Sequence, residues 1–108
     1  STLKRLRAAR QAFLDVVDFI AANTRANPNA AFAGSVPYLM LAGNLMAGWQ
    51  MARALLVAED GTGDAAFDAA KIATARFFGD HLLTQAPALR DRIVEGADAV
   101  TAMALESF

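Results

Sequence analysis

The chain has 108 residues, a net charge of −1 from 10 basic and 11 acidic side chains, and no cysteine. This length fits one domain with one core, and the lack of cysteine excludes disulfides, thiol nucleophiles and thiolate metal sites. The balanced charge argues against a nucleic-acid partner, which normally requires a basic excess on one face. Hydrophobic residues make up 56% of the chain, and the 26 alanines among them favour helices.

The first predicted helix runs from Thr2 to about Asn23, because apolar residues recur there at helical spacing: Leu3, Leu6, Phe13, Val17 and Ile20. Its first turns carry four cations, which oppose the helix dipole: Lys4, Arg5, Arg7 and Arg10. Three interpretations stay open. The cations form a solvated face, they meet acidic groups elsewhere, or the helix begins before Ser1.

The second predicted helix, Val36–Ala58, has apolar residues on every side and one charge, Arg53. We expect it to be buried on most of its surface, with Pro37 in its first turn and a short lead-in turn over Ala30–Ser35. Glycines at its small positions suggest tight packing. Its apolar run is interrupted and shorter than the roughly 20 residues of a membrane-spanning helix, so a bundle helix is favoured.

The break at Glu59–Gly63 precedes a third predicted helix that ends near Leu83, with Thr62 or Asp64 as its cap. Its apolar face consists of Phe67, Ala70, Thr74, Phe77, Phe78 and His81. A fourth helix follows from Pro87 to about Met103. The pattern predicts one all-α domain over residues 1–108, an antiparallel up-down four-helix bundle whose longest connection is Asn23–Ser35. We expect Trp49, Phe77 and Ile93 to be mostly buried.

Residue chemistry indicates no self-contained active site. His81 is the single histidine, and no Glu-x-x-His or His-x-x-x-His pair supplies a helical metal site. The short Gly61–Gly63 segment lacks the length and the preceding strand of a phosphate-binding loop. We therefore assign no catalytic, cofactor-binding or metal-binding residue.

Two sequence blocks carry a family resemblance. The first contains Tyr38-Leu39, Gly43, Gly48-Trp49 and Ala52, and the second is the segment KIATARFFGDHLL at residues 71–83. In order, spacing and length they resemble the C-terminal-like helical domain of acyl-CoA dehydrogenases, in the branch of 3-methylmercaptopropionyl-CoA dehydrogenase-like enzymes. The resemblance covers nearly the whole chain.

The resemblance implies a C-terminal fragment of a cytoplasmic, homo-oligomeric flavoenzyme. Its FAD and the glutamate that abstracts the substrate α-proton would lie in upstream domains, which this fragment would contact. The fragment would serve packing, oligomerisation or substrate access, with no cofactor or catalysis of its own. We expect it to self-associate through its first or second helix when isolated. The alternative is a free-standing helical interaction module or a peripheral membrane element, and the sequence before Ser1 would separate the two.

Overall fold

The computed structural model describes residues 1–108 and contains no strand, so the predicted all-helical class is confirmed. Six α-helices follow in order: α1 (Thr2–Asn23), α2 (Pro28–Ala33), α3 (Ser35–Asp60), α4 (Ala65–Phe77), α5 (Ala86–Val94) and α6 (Ala97–Val100). Between α4 and α5 lie a π-helical turn (Phe78–Leu82) and a 3-10 turn (Leu83–Gln85), and a second 3-10 turn (Leu105–Ser107) ends the chain.

Local side-chain chemistry explains where two of these helices begin. The Asp64 carboxylate accepts a hydrogen bond from the Phe67 backbone N–H at 3.1 Å, so this predicted cap of α4 is confirmed. The lead-in turn predicted at Ala30–Ser35 is instead the helix α2. It starts earlier because Asn27 caps it and Pro28 occupies its first turn, where a missing N–H costs nothing.

The predicted ends of the last two helices are wrong. Regular α-helix ends at Phe77 rather than Leu83, and the chain continues into α5 without a loop. The helix predicted from Pro87 to about Met103 is instead interrupted. α5 ends at Val94, because the N–H groups of Glu95 and Gly96 both bond to the Asp91 carbonyl, and the short α6 follows at Ala97–Val100. A Cβ at position 96 would lie 2.5 Å from the Arg92 carbonyl oxygen, so this turn requires glycine.

The core lies where α1, α3 and α5 pack on one another. Its largest fully buried side chains are Val16, Leu41, Leu83 and Ile93, so the predicted burial of Ile93 is confirmed. The predicted close packing at the glycines of α3 is confirmed at Gly48, where a Cβ would lie 2.5 Å from the Leu83 side chain, and is wrong at Gly43, where nothing lies within 4 Å of a Cβ. Asn44 donates a hydrogen bond of 2.7 Å to the Leu82 carbonyl and ties α3 to the turn before α5.

Helix α4 packs on α3, outside this three-helix core, and leads almost directly into α5. The up-down order of four helices is therefore not confirmed. The molecule measures 64 × 28 × 17 Å, and its shortest dimension holds two layers of helices. Its radius of gyration is 17.8 Å, whereas a compact chain of this length has about 13 Å.

This flat shape overturns three predictions about burial. Helix α3 is not buried on most of its surface, because Leu39, Met46 and other apolar side chains along it are exposed. Trp49 is 46% exposed and Phe77 is 59% exposed, so their predicted burial is wrong. With two layers of helices, each layer has one face that the chain itself does not cover.

Candidate functional site

The surface area shows how much of the chain is left uncovered. The accessible surface is 7121 Å² for a mass of 11.4 kDa. A folded monomer of that mass exposes about 5,800 Å², so this chain exposes roughly 1,300 Å² more. Large exposed apolar areas mark interaction sites. The candidate functional sites are therefore surfaces rather than a catalytic cleft.

The first surface is the α4 outer face, which we define by Ala66, Ala69, Ala70, Ala73, Phe77 and His81. All six residues are exposed; five lie on one side of α4, and His81 lies in the π-helical turn that follows. The Phe77 and His81 rings stack with centroids 4.4 Å apart and form its aromatic end. The face carries no carboxylate, lysine or arginine, which makes it suited to packing against an apolar partner.

The opposite side of α4 is turned toward α3 and the loop before α4, and it holds the buried residues Asp68 and Ala75. Asp68 is buried, and its carboxylate accepts hydrogen bonds from the Thr62 hydroxyl at 2.6 Å and the Thr62 N–H at 2.9 Å. These two bonds, the hydroxyl bond above all, lower the pKa of Asp68. Arg76 forms an ion pair of 3.6 Å with Glu59 of α3. Helix α4 thus buries a carboxylate beside Ala75 and leaves a side of alanine and phenylalanine exposed, whereas the exposed side of an ordinary surface helix is polar.

The second surface is the α1/α3 groove, an apolar trough between these two helices. Phe13 of α1 stacks on Tyr38 of α3 with ring centroids 5.8 Å apart and lies near its middle. On one side a cavity of about 360 Å³ is lined by Leu6, Arg10, Phe13, Leu14, Leu45, Met46 and Trp49. On the other side a cavity of about 400 Å³ is lined by Val17, Ile20, Ala21, Ala31, Phe32, Ser35 and Tyr38.

Charged side chains of α1 lie along the edge of this groove. Asp15 forms an ion pair of 3.5 Å with Arg90 of α5. The four cations of the first turns form no ion pair within the chain, and neither does Asp18. The acidic partners that the sequence allowed for these cations are therefore not supplied by the chain itself.

A third depression, of about 390 Å³, lies between the end of α3 and the start of α4. Arg53 and Lys71 line it, each with its cation over an aromatic ring, Trp49 at 5.3 Å and Phe67 at 5.6 Å. Such contacts hold the cations at the surface. The lining contains no histidine and no carboxylate, and its ionisable side chains are the two cations.

The sequence carries a signal for the α4 outer face, but the direction that it predicts for this face is wrong. Ala70, Phe77 and His81 belong to the apolar pattern that the sequence directs toward the core, whereas Phe67 of the same pattern lines the third depression. Periodicity shows that a helix has an apolar side, but the direction of that side depends on what packs against it. No cluster of three or more metal-ligating side chains occurs in the structure, and no helix meets the length and apolarity needed to cross a membrane.

Comparisons with known proteins agree with the resemblance in the sequence. Residues 1–104 match a protein family described as acetyl-CoA dehydrogenase C-terminal like. The chain is 43% identical over 105 residues to 3-methylmercaptopropionyl-CoA dehydrogenase of Ruegeria pomeroyi. The matched region covers 94% of this chain and 18% of that protein. The chain thus spans less than a fifth of its relative. No solved structure matches it.

Proposed function

We propose that this chain, which belongs to the acetyl-CoA dehydrogenase C-terminal like family, is the accessory helical domain of a longer acyl-CoA dehydrogenase-like flavoenzyme. The relative contains more than four-fifths of its length outside the matched region. We place FAD, the acyl-CoA substrate and the catalytic groups in that larger part, the enzyme body. The accessory domain, called the module below, supplies no catalytic residue. We assign the complete enzyme to the cytoplasm.

The observation that carries this proposal is the exposed apolar side of α4, opposite a buried carboxylate. Asp68 is buried against Thr62 while Ala70 and Phe77 face solvent. An isolated domain gains nothing from an uncharged aromatic face in water, whereas a domain that packs on a larger body buries it favourably. We propose that the α4 outer face is the surface that packs on the enzyme body.

The side chains of the module support a non-catalytic role. His81 is exposed and stacked on Phe77, outside any enclosed cavity. Asp68 has a lowered pKa, which favours the ionised carboxylate and disfavours a role as general acid near neutral pH. Flavin binding requires a walled pocket with donors toward the ring and the pyrophosphate, whereas the depressions of this chain are open surface features.

The absorption spectrum of the purified protein tests whether the flavin belongs to this chain or to the enzyme body. We expect the 108-residue chain to be colourless after dialysis and unable to reduce an electron acceptor with any acyl-CoA. The complete polypeptide should be yellow and active with at least one acyl-CoA. A flavin band that stays with the isolated chain would overturn the proposal. A complete polypeptide with no flavin and no activity would favour the alternative, a helical interaction module.

The docking surface is tested separately in the complete polypeptide. Ala70→Asp and Phe77→Asp each place a charge on the α4 outer face. We expect either substitution to make the segment that joins this domain to the enzyme body more sensitive to limited proteolysis. Leu105→Asp is the matched control, because Leu105 is 82% exposed but lies outside that face. Equal protease sensitivity of the three variants and the unmodified enzyme would contradict docking through α4.

A further inference from the structure

We infer that the α1/α3 groove is an interface between two copies of this chain, related by a twofold axis at the level of Leu14. In this arrangement α1 packs antiparallel to α1 of the second copy, and Arg10 of each copy meets Asp18 of the other. The inference goes beyond the proposed function, because it concerns a different face from α4 and applies to the chain by itself.

The charge sequence of α1 selects the antiparallel orientation. Its first half carries all its cations, and both of its carboxylates, Asp15 and Asp18, lie in the second half. A parallel pair would place cations against cations, while an antiparallel pair places each basic half against an acidic half. Asp15 is already paired with Arg90, which leaves Asp18 as the free acidic partner.

The positions of the two charges set the register. Arg10 and Asp18 lie four residues on either side of Leu14, about 6 Å along the helix axis in each direction. An antiparallel pair centred on Leu14 therefore brings Arg10 of one copy level with Asp18 of the other, twice by symmetry. Both side chains are exposed and unpaired within the chain.

Apolar side chains between these charges supply the contact surface. Leu14 and Val17 of α1 are 38% and 39% exposed, and Met46 and Trp49 line the α3 side of the groove with larger exposed fractions. Two α1/α3 pairs placed face to face would form a four-helix arrangement around a shared apolar centre. The four-helix packing predicted within one chain would then be completed between two chains.

The uncovered area is large enough for this contact. A standard protein interface buries about 800 Å² on each partner, and the chain exposes roughly 1,300 Å² beyond the expectation for its mass. One such face can be covered while the α4 outer face stays available for the enzyme body. The two surfaces lie on different helices, so both partners can be bound at once.

Charge reversal with sedimentation equilibrium tests the inference in the 108-residue chain. We expect a concentration-dependent dimer that weakens as salt rises. Arg10→Asp and Asp18→Arg should each weaken dimerisation about tenfold, because either change places like charges against each other at two symmetric positions. Lys4→Asp is the control, with the same charge change as Arg10→Asp on an exposed residue outside the groove, and should leave dimerisation unchanged.

Mixing the two weakened variants gives the decisive result. One partner then carries acidic residues at positions 10 and 18 and the other carries basic residues, so both contacts become attractive. We expect the equimolar mixture to dimerise at least as tightly as the unmodified chain, with melting temperatures showing that each variant is folded. A mixture as weak as its components, or an unmodified chain that stays monomeric up to millimolar concentration, would overturn the inference.

A variant of the α4 outer face keeps the two proposals distinguishable. Phe77→Asp should leave the dimer of the 108-residue chain unchanged, because Phe77 lies outside the α1/α3 groove. Loss of the dimer in this variant would assign self-association to α4 and overturn the groove as its site. The protease sensitivity of the complete polypeptide tests α4 docking independently of that result.

Discussion

The three-helix core and helix α4 use similar apolar patterns but bury them to very different degrees. In the core, Val16, Leu41 and Ile93 are completely inaccessible to solvent. In α4, two residues are buried, and one of them is the carboxylate Asp68. The difference teaches that the apolar face of a helix identifies where a partner packs, while the partner can belong to another part of the protein.

The largest effect should come from truncating the core at Ile93. Ile93→Ala should destabilise the chain by about 2–5 kcal/mol, because it opens a cavity among side chains that cannot collapse fully. This is a large share of the about 5–15 kcal/mol that stabilises a small domain. Urea unfolding followed by circular dichroism measures it.

Phe77→Ala is the matched truncation in α4. We expect a change within about 0.5 kcal/mol in the isolated chain, because the ring is largely exposed and contacts chiefly His81. The sequence pattern instead predicts burial of this residue, and truncation of a buried phenylalanine would cost about 3–5 kcal/mol. Similar losses for Ile93→Ala and Phe77→Ala would contradict the contrast between the two regions.

Two glycines of α3 provide a smaller contrast within one helix. Gly48→Ala should destabilise the chain by about 1–3 kcal/mol, since the added methyl group would overlap the buried Leu83 side chain. Gly43→Ala should stabilise it by up to about 1 kcal/mol, because alanine favours helix and nothing lies within 4 Å of a Cβ there. Chemical unfolding measures both changes in the free energy of unfolding. If both substitutions stabilise the chain, or both destabilise it, the packing described for the two glycines is wrong.

The smallest effect concerns Asp68 and its dependence on pH. Because the pKa of Asp68 is lowered in the folded chain, its stabilising contribution is present above the ordinary carboxyl pKa of 3.8. The contribution is lost as pH falls through the lowered pKa. We expect Asp68→Asn to reduce the free energy of unfolding at pH 7. In acid, the free energies of unfolding of this variant and of the unmodified chain should become more similar. A difference that stays constant with pH would exclude this role of the carboxylate.

Local sequence determined the helices of this protein and several of their ends. Apolar spacing predicted α1 and α3 closely. Short polar side chains limited the cap of α4 to Thr62 or Asp64, and the structure has Asp64, because capping depends on neighbouring residues only. The resemblance in residues 71–83 identified the family without knowledge of the fold. No comparable local rule predicted the π-helical turn at Phe78–Leu82, since there Gly79 is approached by Thr2 from the distant end of α1.

Tertiary structure alone decided which apolar faces are covered. Phe77 and Ile93 both belong to periodic apolar patterns, yet Ile93 is fully buried and Phe77 is mostly exposed. Periodicity specifies that a helix has an apolar side, but burial depends on the neighbours that the whole chain brings to that side. Here α4 packs through Asp68 toward the Thr62 loop and leaves its alanine face open, so the candidate docking surface could be located only in three dimensions.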